Sequence, residues 1–168
     1  LNTILFLMTP AESKHKMDAL VAELVRFEEL IDWDVPMEEV LPSIYYSHID
    51  KYKGYHIRQL CQEMHDFYKS RNVSLLQQRL FLGEYFPDYV MNPQEANFEF
   101  QRNKGELVPL SEAEGRIALE GALPYPPGVI CVQPGERWSK TACDYFLALE
   151  EGINLLPGFA PEIQGVYI

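Results

Sequence analysis

The sequence predicts a mixed α+β fold, and three observations lead there. Amphipathic helical patterns and short apolar runs alternate along the chain, without the regular strand-helix-strand spacing of a doubly wound sheet. A capping residue followed three positions later by glutamate, the sign of a helix start, occurs at Thr9–Glu12, Asn92–Glu95 and Ser111–Glu114. Residues 115–138 hold two apolar runs bounded by proline and glycine, which reads as a pair of short buried strands.

Taken in order, residues 3–8 (TILFLM) form an apolar run of strand type. Thr9 caps the helix that follows, with Pro10 at its first position and Glu12 closing the box. Met17, Leu20, Val21, Leu24 and Ile31 recur at helical spacing and give it one apolar face. Residues 32–55 are broken by Pro36, Pro42 and Gly54, and Tyr45, Tyr46, Tyr52 and Tyr55 suggest an irregular connector packed by aromatics. A helix over residues 57–69 carries Ile57, Leu60, Cys61, Met64, Phe67 and Tyr68 as its stripe, and Asn72 stops it. A short helix fits residues 75–82, and another runs from the Asn92 cap to about Arg102. Residues 106–110 read as a strand, and Ser111 opens a single turn.

The stretch 115–138 organises the second half of the chain. Between its apolar runs stands Pro124-Tyr125-Pro126-Pro127-Gly128. Paired prolines fix φ and remove two backbone donors, so Pro126 and Pro127 stand outside any ladder as a stiff corner. Tyr125 is held extended before them. One reading is a rigid turn; the other is a preorganised loop at an interface or the mouth of a site, where rigidity lowers the entropy cost of binding. Ser139 then caps a helix with Ala142, Tyr145, Phe146 and Leu149 on its apolar face, and Gly152 is placed to end it. Residues 163–167 form a last short strand.

With 168 residues, 47% of them apolar and 12% aromatic, the chain can bury a real core. Its net charge of −11 opposes binding to nucleic acid or to an anionic membrane surface. No apolar run approaches the roughly 20 residues a spanning helix needs. Three cysteines at unpatterned spacing suit free thiols in a reducing cytoplasm. Leu1 in place of an initiator methionine, at the head of a strand-like run, suggests a piece of a longer polypeptide.

The motif PYPPGV followed by PGE, after GRI at residues 115–117, resembles the carboxy-terminal domain of the large bacterial ornithine/lysine/arginine decarboxylases, which are fold-type I pyridoxal-phosphate enzymes. IRQLCQEMHDFY at residues 57–68, PGFAPEIQGVY at 157–167 and the opening LNTILFLMTPAESKHKM fit the same family, in order along nearly the whole chain. Within the family the sequence looks most like ornithine decarboxylase. The resemblance implies that residues 1–31 close a preceding domain and that residues 32–168 form the decarboxylase carboxy-terminal domain. It implies pyridoxal phosphate bound by an upstream domain, a small basic amino acid as substrate, and a homodimer or larger ring. The segment in hand then covers the catalytic domain, with Arg116, Tyr125, Pro126, Pro127 and Gly128 as candidates for an interface or a channel wall. Lysine or arginine decarboxylase, or a non-catalytic assembly module, are the alternatives.

Ser13-Lys14-His15-Lys16 has the letters of the family's cofactor-lysine motif, yet both lysines fall off the apolar helix face and should be solvated, whereas a Schiff-base lysine needs a desolvated pocket. Cys61 and His65 are spaced as a ligand pair, but two ligands do not make a metal site. The acidic run Glu28, Glu29, Asp32, Asp34, Glu38 and Glu39 is either a solvated face or a field that attracts a dicationic substrate. The family's guanine-nucleotide effector needs basic residues, and RFEELIDWD at residues 26–34 supplies only Arg26.

Overall fold

Helix α1 (Lys14–Asp32) starts later than the sequence suggests. Ser13 is its cap, accepting the Lys16 N–H at 3.3 Å, while Thr9 and Glu12 close a separate turn through a 3.0 Å backbone bond. Pro10 suits a turn as well as a first helical position, and Ser13 is itself a strong capping residue, so the nearer cap wins. The computed structural model describes residue 6, residues 8–124 and 129–158, and the backbone of residues 166–167. Most of the strand expected at residues 3–8 lies outside that range; Phe6 and Met8 are exposed.

The chain forms two compact units: Leu1–Phe67 with Leu156–Phe159, and Tyr68–Leu155 with Ala160–Ile168. In the first, residues 32–55 are not irregular. They fold as three short helices, α2 (Met37–Val40), α3 (Pro42–Ser47) and α4 (Ile49–Tyr52). Pro36 and Pro42 fall at an N-cap and a first position, where a missing N–H leaves no hydrogen bond unmade. The aromatic packing foreseen there is present. Tyr45 and Tyr52 are buried, and Tyr52 meets Tyr55 edge-on at 5.6 Å. Tyr52 Oη donates to the Pro157 carbonyl at 2.7 Å, joining the end of the chain to this unit. A Cβ on Gly158 (φ +93°) would come within 2.9 Å of the His48 ring, which keeps that crossing tight.

Helix α5 (Ile57–Ser70) begins in the first unit, where Ile57 and Leu60 are buried. Asn72 breaks it in the left-handed conformation at φ 53°, and α6 (Val73–Arg79) follows at once, two residues ahead of the expected start. Strand β1 (Asp88–Tyr89) precedes α7 (Pro93–Gln101), whose Asn92 and Glu95 make the full reciprocal capping box. Strand β2 (Leu107–Val108) leads into a 3₁₀ turn at Leu110–Glu112.

Strand β3 (Glu136–Arg137) pairs antiparallel with β1, and β4 (Val166–Tyr167) pairs with β2. Helix α8 (Lys140–Leu155) is capped by Ser139 and buries Ala142, Tyr145, Phe146 and Leu149, as its spacing predicts. Gly152 does not end it. The glycine is buried inside the helix, and packing of its neighbours on the core outweighs the ~1 kcal/mol that a mid-helix glycine costs. The core of this unit gathers Trp138 and Phe146, edge-on at 5.8 Å, around Val73, Leu110, Ala118 and Val132.

Candidate functional site

The candidate stretch lies in the second unit, and it is not two strands. Ile117 and Ala122 form only single bridges, to Arg137 and Val132. Its backbone is pinned instead by a dense set of loop bonds. The Ala118 N–H donates to the Glu136 carbonyl at 2.8 Å, and the Gly135 N–H donates to the Ala118 carbonyl at 2.7 Å. The Trp138 N–H donates to the Arg116 carbonyl at 2.9 Å, and the Glu136 carboxylate accepts the Gln133 N–H at 2.7 Å. The runs are not buried throughout, as two buried strands would be: Val129 and Ile130, expected inside, are exposed, while Ala118, Leu119, Val132 and Trp138 are buried.

Gly135 is the point on which this arrangement depends. It stands at φ +90°, and a Cβ there would lie 2.2 Å from the Met91 carbonyl oxygen. That closeness lets the Gly135 carbonyl accept both the Val90 and the Met91 N–H, at 3.1 and 3.0 Å. Strand β1 is thereby fastened to the PGE turn.

Arg116 is half-exposed, and its guanidinium pairs with Glu106 at 2.8 Å. Around it lies an open depression of about 410 Å³ whose lining includes Lys104, Glu99, Leu119 and Arg137. Arg137 Nη1 donates to the Gly115 carbonyl at 2.6 Å, and Lys104 and Arg102 both pair with Glu99. The Lys104 hydrogen bond, with the charges of Lys104 and Arg102 and against a smaller effect of burial, holds the Glu99 carboxyl below the usual range. Sequence reasoning found Arg116 but not this surrounding set, because its partners come from residues 99–106 and 137, joined only by the fold. Tyr125, Pro126, Pro127 and Gly128 lie outside the described residues. The positions flanking them, Leu123, Val129 and Ile130, present apolar side chains to solvent.

The remaining candidates are placed as follows. Lys14 pairs with Asp18 at 2.6 Å and Lys16 with Glu12 at 2.9 Å, and their side chains are 86% and 67% exposed. Neither has the dry pocket that a Schiff-base lysine requires, and no charged side chain is buried among the described residues. Cys61 is half-buried and His65 exposed on α5. Burial raises the Cys61 and Cys131 thiols, and burial followed by the nearby Glu114 and Asp144 charges pushes Cys143 up to about 11. All three are kept protonated, which is the state of inert thiols. No helix among the described residues is long and apolar enough to cross a membrane.

Arg58 and His56, at the head of α5, escaped the sequence reading. Arg58 Nε donates to the Ile31 carbonyl at 2.7 Å, a second guanidinium nitrogen donates to Asp32, and the Arg58 N–H donates to the Asp34 carboxylate at 3.2 Å. The His56 ring contacts the Asp34 carbonyl, with the Asp34 carboxylate 3.7 Å away. The C-terminus of α1 is thus closed by a cation, the favourable sign for that end of a helix dipole.

The family model described as "Orn/Lys/Arg decarboxylase, C-terminal domain" matches residues 74–168. An ornithine decarboxylase of Haemophilus influenzae is 64% identical over the whole chain, and lysine decarboxylase LdcA of Pseudomonas aeruginosa is 31% identical over 99% of it. The solved structure of the Francisella novicida lysine decarboxylase LdcF superposes with a TM-score of 0.83 at 28% identity, covering 97% of this chain and 24% of that one. The chain spans 23% of the length of the Haemophilus relative. With a matching family model over its second unit and these relatives along its whole length, the chain belongs to the Orn/Lys/Arg decarboxylase family, as the carboxy-terminal part of a larger member.

Proposed function

We propose that this chain is the carboxy-terminal part of a pyridoxal-phosphate-dependent decarboxylase of the cytoplasm that converts L-ornithine to putrescine and carbon dioxide. The observation that carries the substrate is the contrast between 64% identity to an ornithine decarboxylase and 31% to a lysine decarboxylase over the same span. The cofactor, held by the upstream part of the polypeptide, would supply the electron sink for the bonding pair left behind when carbon dioxide departs. The residues of this chain cover, orient and exclude water; none is assigned a covalent step. Arg116 and Tyr125-Pro126-Pro127-Gly128 are the interface or channel-wall candidates. What supports that role is the rigid, backbone-bonded base of the loop and the exposed apolar side chains of Leu123, Val129 and Ile130 on either side of it.

A division of the polypeptide near Ile31 belongs to the same reading. Helix α1 buries none of its residues, and Val21, Leu24, Val25 and Phe27 are exposed, as expected of a helix whose apolar face docks on a preceding domain. Association into a homodimer or a larger ring completes the proposal. The test is carbon dioxide release by the full-length polypeptide with pyridoxal phosphate, given ornithine, lysine and arginine separately. Strong preference for ornithine is the expected result. Preference for lysine or arginine overturns the substrate alone, and silence on all three overturns the enzymatic reading.

A further inference from the structure

Ten consecutive residues of the second unit, FLGEYFPDYV at residues 81–90, expose more large apolar side chains than folding of this chain explains. Phe81 is 59% exposed, Phe86 53% and Tyr89 70%, and Leu82 and Val90 stand open beside them. Soluble domains seldom leave such a run uncovered, and aromatic side chains concentrate at the centres of interfaces.

The run is also held still. The Tyr85 N–H donates to the Leu82 carbonyl at 2.9 Å within a 3₁₀ turn, and the Arg79 guanidinium lies 5.1 Å above the Tyr85 ring. Strand β1 is paired with β3, and the Val90 and Met91 N–H groups share the Gly135 carbonyl. A surface already fixed in shape loses little entropy when it is covered.

We propose that residues 81–90 are a docking face for the upstream part of the same polypeptide. Two observations select that occupant. The chain spans only 23% of the length of its Haemophilus relative, so most of such a polypeptide lies outside it. The run contains Glu84 and Asp88, with Arg79 over Tyr85 and Arg137 opposite Asp88 in the β1–β3 pair, so it is the chain's net charge of −11 that opposes both a second copy and an anionic membrane at this face. This inference rests on the reading of the chain as the carboxy-terminal part of a larger enzyme, and it names the surface through which that part is attached.

The experiment places photoreactive p-benzoylphenylalanine at position 89 of the full-length polypeptide. Isotopically heavy and light copies are expressed in separate cultures, mixed so that subunits exchange, irradiated, and mapped by mass spectrometry. Cross-links from position 89 to residues upstream of this chain, within one isotopic copy, are expected. Cross-links joining heavy to light copies assign the face to a second copy and overturn the proposal. Capture confined to residues of this chain, or no capture, overturns it as well. Hydroxyl-radical labelling of the unaltered full-length polypeptide gives a second readout. Phe81, Phe86 and Tyr89 should label more slowly, relative to the denatured polypeptide, than their 59%, 53% and 70% exposure in this unit alone allows. Rates that match that exposure mean that solvent covers the face. Carbon dioxide release is measured on the same preparation: upstream cross-links without decarboxylation leave the docking face standing and remove the enzymatic reading.

Discussion

Arg58 holds Ile31 by its backbone: Nε of the first donates to the carbonyl of the second at 2.7 Å, across 27 residues. One arginine on α5 thereby fixes the direction in which α1 leaves the rest of the first unit. An apolar face that docks elsewhere is useful only if its helix is aimed correctly.

Replacing that arginine should free the helix end. Arg58→Ala removes the side-chain donors to the Ile31 and Asp32 carbonyls and a cation from a helix C-terminus, at a cost of about 1–2 kcal/mol. Hydrogen exchange at residues 29–34 should accelerate while α7 keeps its protection. Arg58→Lys should restore only part of it, since a single ammonium cannot reproduce the fork. Unchanged exchange in Arg58→Ala would show that the dipole and carbonyl contacts carry no stability.

Gly135→Ala should be severe. The added Cβ meets a backbone carbonyl at 2.2 Å from a left-handed φ, and neither can yield without breaking the Val90 and Met91 bonds to Gly135. A loss of about 3 kcal/mol or more is expected from strain and overpacking together. Gly115→Ala makes the control: its φ is also positive, but nothing stands within 4 Å, so only the conformational penalty applies. Equal melting temperatures for the two variants would refute the steric argument.

Glu99 should give the second unit an acid-sensitive contact. Lys104 and Arg102 hold its carboxyl below the ordinary value of 4.5, so the folded state binds the proton less readily than the unfolded state. The stabilisation is therefore complete above that ordinary value and fades as pH falls through the lowered one. Glu99→Gln should melt below the parent at pH 7, and the gap should narrow as pH falls below 4.5. A gap that persists or widens in acid would contradict the assignment.

Local chemistry was the legible part of this chain. The Asn92–Glu95 box and the Ala142, Tyr145, Phe146 and Leu149 face of α8 act over one or two helical turns, and the structure repeats them. Where a distant partner decides, the pattern misleads. The three short helices between Pro36 and Tyr55 rest on the Tyr52 contact with Pro157, and the continuation of α8 through Gly152 rests on core packing. At the candidate stretch, an arginine needing a carboxylate could be foreseen, but Glu106 could not be picked from 25 acidic residues. The apolar letters of Val129 and Ile130 argued for burial, whereas they stand exposed.

The Tyr52–Pro157 bond also constrains when the molecule can fold. It spans 105 residues, and Leu156–Phe159 complete the unit that begins at the amino end. During synthesis, the first of these two units cannot close until residues 156–159 have been made, after most of the second unit. In the meantime Tyr52 lacks its Pro157 partner on the nascent chain.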